Sequence, residues 1–126
     1  MFLVTAALQY RSFKGTRMAF DERLAERVRR KVGKRDGLSE KKMFGGLAFL
    51  LHGNMSCGIH GDQLIVRIDP ETTESALAEP GTRIFDITGR PMKGWLLVGA
   101  AVLEDETALA KWVSRGLDYA ASLPKK

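Results

Sequence analysis

One segment constrains the fold more than any other. From Asp105 onward, Leu109, Trp112, Val113, Gly116, Leu117, Ala120 and Ala121 recur in steps of three and one. That spacing lines side chains up along one side of an α-helix. The apolar face it builds is about four turns long, and a face of that size is stable only when buried against another layer. The rest of the chain must therefore supply a broad apolar surface. Glu104, Asp105 and Glu106 stand at the helix start, where the helix dipole favours negative charge, and Pro124 ends the helix. Gly116 lies on the buried side, where a missing side chain allows close approach of a sheet or of another helix.

The surface that this helix needs is legible as a series of β segments. Lys42 to Leu51 is apolar and contains Gly45-Gly46, Met55 to His60 is short, and Leu64 to Asp69 alternates. His52-Gly53-Asn54 and Gly61-Asp62-Gln63 supply turns between them, which predicts a meander of antiparallel strands. Asp69-Pro70-Glu71 combines a capping residue, a proline at the first helical position and an acid in the first turn. A short helix is predicted over residues 71–79, stopped by Pro80-Gly81. Arg83 to Ile87 and Trp95 to Val98 read as two more strands, divided by Thr88-Gly89-Arg90-Pro91. Ahead of the sheet, Asp21 to Lys34 reads as a helix, with Asp21 as its cap and Gly33 and Gly37 loosening its end. The resulting order, α-β-β-β-α-β-β-α, predicts an α+β two-layer sandwich with a mostly antiparallel five-stranded sheet.

A chain of 126 residues suits one domain. Its longest apolar runs, Gly45 to Leu51 and Gly94 to Leu103, are far short of the roughly 20 residues a membrane-spanning helix needs. A single cysteine, Cys57, excludes an internal disulfide and a cysteine-built zinc site, and it fits a reducing cytoplasm. Net charge is +5, unevenly spread: residues 1–17 contribute +3, residues 18–42 contribute +4, and residues 43–126 contribute −2. A basic N-terminal part on a mildly acidic body is not the uniform footprint of a dedicated nucleic-acid binder. Residues 1–17 place an apolar stretch before a basic one, the reverse of a signal peptide. Met18 makes a more natural start, so residues 1–17 are expected to be a leader outside the domain, and residues 18–126 the domain itself.

Few residues suggest chemistry. Cys57 and His60 are three apart on a predicted strand, so they point to opposite faces and make a poor nucleophile–base pair. His52 reads as a turn residue, and no metal site is expected from two histidines and one cysteine without clustered acids. Gly45-Gly46 lacks the spacing of a phosphate loop and reads as a bulge or a close backbone approach. Two readings stand for the stripe Arg23, Arg27, Arg30 and Lys34: the solvated face of a helix, or a phosphate-contacting face that reads no bases. Arg67 should share a sheet face with Ile65 and Asp69, either in a surface ion pair or presented to a ligand or partner. Arg90, Lys93, Pro91 and Trp95 form a second candidate patch, with Trp95 either in the core or an interface anchor.

Taken together, some of these residues resemble a known family. Lys42-Met43-Phe44-Gly45-Gly46, Leu64-Ile65-Val66-Arg67-Ile68-Asp69 and Arg90-Pro91-Met92-Lys93-Gly94-Trp95, with Leu109, Trp112 and Val113 in the last helix, look like the N-terminal domain of TfoX/Sxy proteins. The resemblance covers about Phe20 to Leu123. It implies a secretion-chaperone-like α/β fold and carries over no catalytic residue and no cofactor. Full-length TfoX/Sxy proteins regulate natural competence with the cyclic-AMP receptor protein at promoters and carry a second, C-terminal domain. The chain is expected to be a single-domain member without that second domain. Met43, Phe44, Gly45, Gly46, Arg67, Arg90, Pro91, Met92, Lys93 and Trp95 carry over as motif positions. The function expected is a non-enzymatic regulatory or adaptor domain that works through protein contacts, such as a transcription regulator or a second copy docking on the Gly116 helix. The alternatives are nucleic-acid binding through the basic helix and a small-molecule pocket near Arg67.

Overall fold

Three aspartates set the helix starts. In the computed structural model, which describes residues 20–43, 45–86 and 91–126, the Asp21 carboxylate accepts from the backbone N–H of Arg23 and Leu24 and opens α1, Glu22–Val32. Asp69 accepts from the Glu71 N–H and opens a 3₁₀ turn, Pro70–Thr72, that runs into α2, Thr73–Leu77. Asp105 accepts from the Thr107 N–H and opens α4, Glu106–Ser122. Each bond satisfies a backbone donor that has no partner inside its helix. Between the last two lies α3, Ala100–Leu103, a single turn after Gly99 that sequence periodicity does not reveal.

The sheet has six strands, not the five expected. They are β1 (Leu38–Met43), β2 (Gly46–Leu51), β3 (Asn54–His60), β4 (Gln63–Arg67), β5 (Thr82–Ile84) and β6 (Trp95–Val98). Their order across the sheet is β1-β2-β3-β4-β6-β5, and every neighbouring pair is antiparallel. The extra strand lies mostly ahead of the segment read as one strand over residues 42–51, and shares only Lys42 and Met43 with it. Met43 pairs directly with Gly46, and Gly45 holds a left-handed φ of 72° in the turn between them. β1 itself, Leu-Ser-Glu-Lys-Lys-Met, has an almost wholly polar, exposed middle. That composition suits an edge strand, where charged side chains discourage pairing with a foreign strand, and it hides the strand from a hydrophobic pattern search. The remaining hairpins follow the turns read from sequence: His52 and Gly53 both take positive φ between β2 and β3, and Gly61 does so between β3 and β4. The helix read as 21–34 ends at Val32, because Gly33 closes it with its N–H on the Arg29 carbonyl. The helix read as 71–79 is the 3₁₀ turn followed by the five residues of α2.

Alternation divides the sheet's side chains between two faces. One face carries Leu47, Phe49, Cys57, Ile59, Leu64, Val66, Leu96 and Val98, packed under Leu24, Val28 and Val32 of α1 and Leu109, Trp112, Val113 and Leu117 of α4. Ala76 of α2 and Leu103 of α3 join the same core, so all four helices of the described residues lie on this side. Gly116 permits the contact: a Cβ there would sit inside the van der Waals shell of the Ser56 carbonyl oxygen. Close approach to the sheet is therefore what Gly116 provides, and the apolar face of α4 is consumed within the fold. Ser56 is the extra residue of a β-bulge opposite Phe49 and Leu50, and its hydroxyl donates to the Phe49 carbonyl. The expected leader, residues 1–17, lies outside the described residues.

Candidate functional site

The other sheet face holds a second, smaller apolar cluster. Ala48, Met55, Ile65, Phe85 and Leu97 are buried in it, and Met43, Leu50, Met92 and Trp95 pack against it half-exposed. Phe85 continues the pairing of β5 with β6, its N–H donating to the Trp95 carbonyl, and the Met92 N–H donates to the Phe85 carbonyl. All three methionines of the described residues, Met43, Met55 and Met92, meet here. Methionine is unbranched and polarizable, and a surface rich in it adapts to irregular apolar partners.

Arg67 lies at the end of β4, opposite Trp95 in the register. Its guanidinium carbon stands 5.1 Å from the Trp95 ring centre and 5.5 Å from that of Tyr119 in α4. These are cation–π distances, each contributing on the order of 0.5–1 kcal/mol at partly exposed sites. The face-sharing of Arg67 with Ile65 is as the alternation predicts, while the surface ion pair is not formed. Among the described residues, no carboxylate lies within ion-pair distance of Arg67. Among the described residues, the guanidinium meets two aromatic rings and no ion-pair partner.

Other sequence candidates are scattered. Met43 and Gly46 face each other across the first hairpin, while Phe44 and Arg90 lie outside the described residues. Gly46 allows the backbone to approach the Ile59 carbonyl oxygen of β3, the close approach that a glycine within a strand suggests. Pro91 and Lys93 are exposed beside Met92, and Gly94 is buried, its N–H donating to Thr73 Oγ1. The basic stripe of α1 does not act as a unit. Arg27 turns inward, its Nε 2.9 Å from Glu106 and its Nη2 donating to the Leu103 carbonyl, so it ties α1 to α3 and α4. Arg23 and Arg30 are exposed on α1, and Lys34 is exposed beyond the helix end.

Cys57 and His60 are held on opposite faces. Burial under α4 pushes the Cys57 thiol up to about 12, with the Ser56 hydroxyl a weaker opposing influence. His60 ends β3 on the second face, where its Nδ1 is buried without a hydrogen-bond partner among the described residues. A cleft of about 510 Å³ opens elsewhere, between α1, the β3–β4 turn and α3, lined by Asp21, Arg23, Arg27, Asp62, Glu104 and Glu106 among others. Neither Arg67 nor Trp95 borders it.

Residues 30–120 match the family model for the TfoX N-terminal domain. The chain belongs to that family. The match spans β1 through most of α4, so it includes both sheet faces and the whole of the second cluster. In this TfoX N-terminal domain the motif residues Met43, Arg67, Met92 and Trp95, which come from three separate stretches of sequence, gather around that one cluster. Sequence reasoning missed Leu50, Met55, Phe85 and Tyr119 as their neighbours. Met55 was hidden by the bulge at Ser56, which shifts the alternation of its strand by one residue. Tyr119 lies on a different element, and no local signal connects it to Arg67. No curated protein matches the chain. No helix among the described residues is long and apolar enough to cross a membrane.

Proposed function

We propose that this TfoX N-terminal domain is a non-enzymatic regulatory or adaptor domain that works in transcriptional control, in the cytoplasm, through contacts with other proteins. The observation that carries this reading is the convergence of motif residues on the second sheet face. A residue set serving only the fold would be expected in the larger core under α1 and α4. Instead, Met43, Met92 and Trp95 stay half-exposed around a small methionine-rich cluster, with a stacked, unpaired arginine at its edge. Adaptable apolar side chains beside a tryptophan and an arginine are the materials of protein interfaces.

Site-specific photocrosslinking in the native cell tests it. A photoreactive residue at Leu50, on the second face, should trap a protein partner, while one at exposed Ser114 on α4 should not. Equal trapping at both positions, or none at Leu50, would contradict the reading. A second reading, direct contact with nucleic-acid phosphates, draws support from Arg23 and Arg30, which are exposed and outside every ion pair of the described residues. Replacing both with glutamine should then weaken duplex binding alike at all sequences and flatten its salt dependence; unchanged binding would remove this reading.

A further inference from the structure

Among the described residues, the helix side carries both paired and unpaired cations, Arg23 and Arg30 among the unpaired. On the helix side, Arg27 and Lys31 share Glu106, Arg29 pairs with Glu40 and Glu26, and Lys111 and Arg115 share Glu79. Direct cross-strand partners point to the same side of a sheet, so the register starts Lys41 with Ala48, Arg67 with Trp95, and Arg83 with Leu97 on the second face; Arg67, last in its strand, carries its guanidinium to the rim of that face, where it also meets Tyr119 of α4. None of these three has an ion pair among the described residues, and Arg83 donates only to the neutral amide of Gln63. Among the described residues, the strands carry one carboxylate, Glu40, and it points toward α1. The second face thus combines half-exposed Met43, Leu50, Met92 and Trp95 with cations and no strand-borne acid.

We propose that this face docks an acidic segment of a partner protein, one whose apolar side chains meet Met43, Leu50, Met92 and Trp95 while a carboxylate meets Arg67. This rests on the second face being the contact surface. Charge complementarity selects the occupant. A carboxylate matches the planar fork of a guanidinium with two parallel hydrogen bonds, and the rings of Trp95 and Tyr119 hold that fork in advance, reducing the entropy lost on binding. A duplex backbone fits less well: three strand-borne cations supply few phosphate contacts, and an aliphatic and methionine surface offers phosphates nothing. Stacking of single-stranded bases requires free aromatic platforms, whereas Phe85 is buried and Trp95 already faces Arg67. A second copy would bring like cations together.

The test is a fluorescence-anisotropy titration of the full chain with a synthetic fourteen-residue peptide that mixes Glu and Asp with Leu and Phe. Its counterpart with every acid replaced by lysine, and labelled duplex DNA, serve as rivals. The acidic peptide should bind, weaken as salt rises, and lose about tenfold or more in affinity with Arg67→Gln. Arg67→Lys should fall between the two, because it keeps the charge without the planar fork. Leu50→Ser should weaken binding as well, and Arg23→Gln on α1 should not. Near-UV circular dichroism establishes that each variant keeps its fold. Binding of the lysine peptide with equal strength, indifference to Arg67→Gln, or displacement of the acidic peptide by duplex DNA would each overturn the proposal. So would a concentration-dependent dimer that Leu50→Ser dissolves, which would make the occupant a second copy. If the acidic peptide fails while crosslinking at Leu50 still traps a protein, the contact surface stands and only its acidic occupant falls.

Discussion

The two faces of the sheet are built from the same six strands and differ in how completely they are finished. The helix-covered face packs side chains no more than 5% exposed under α1 and α4, and Glu40, Glu79 and Glu106 pair with Arg27, Arg29, Lys31, Lys111 and Arg115 around it. The second face has a five-residue buried cluster, a rim of half-exposed methionines, leucine and tryptophan, and cations without carboxylates. A face with its packing satisfied holds the fold and has little left to offer a partner. The second face leaves apolar and cationic side chains exposed, which is what the proposed contact surface requires.

The largest contrast expected between the faces is in thiol reactivity. Cys57, with its thiol raised to about 12 by burial, should react with a disulfide reagent at pH 8 at least about a thousandfold more slowly than a cysteine placed at Leu50. Comparable rates in the folded protein would show that α4 does not seal the first face. Next comes core truncation. Trp112 is 1% exposed, so Trp112→Ala should cost about 3–5 kcal/mol in urea denaturation, whereas Met92→Ala, half-exposed, should cost less than about 1.5 kcal/mol. Equal losses would erase the difference between the two clusters.

Gly116→Ala separates helix propensity from packing. In an open helix the change should stabilise by up to about 1 kcal/mol, but here the new Cβ meets the Ser56 carbonyl, and a net loss of about 1–3 kcal/mol is expected by thermal denaturation. A gain would mean that α4 rides further from β3. The smallest effect expected is in pH dependence. The Lys111 ammonium first, and Arg115 with it, hold the Glu79 carboxyl below the ordinary glutamate range. Its contribution to stability is therefore complete above the unfolded-state value, about 4.3, and is lost as pH falls through the lowered folded value. The melting temperature should decline as pH falls below about 4.3, less steeply in Glu79→Gln and unchanged in steepness in Arg67→Gln.

Much of this architecture was legible because local rules and global packing agree. Asp21, Asp69 and Asp105 announce their helices through chemistry contained within three residues, and the apolar stripe of α4 requires a sheet to cover it. The alternation around Arg67 assigned Leu64, Val66 and Ile68 to one face and Ile65 to the other, as found. β1 was missed because its side chains are polar for an edge strand's reasons, and the turn at Gly45 lies inside what reads as one apolar run. Half of the site was readable: Arg67, Met92 and Trp95 stood out as motif residues. The rest was not, since the stacking of Tyr119 on Arg67 joins elements far apart in sequence.

The central claim is that the second face acts on a partner while the first face holds the fold. It is tested most directly by one variant, Leu50→Ser with Met92→Ser, examined in the host that produces the protein. The account predicts a chain as abundant as the unaltered one, folded by near-UV circular dichroism, that gives the transcript profile of a strain lacking the protein. An unaltered transcript profile from that folded variant, where loss of the protein changes it, would contradict the account.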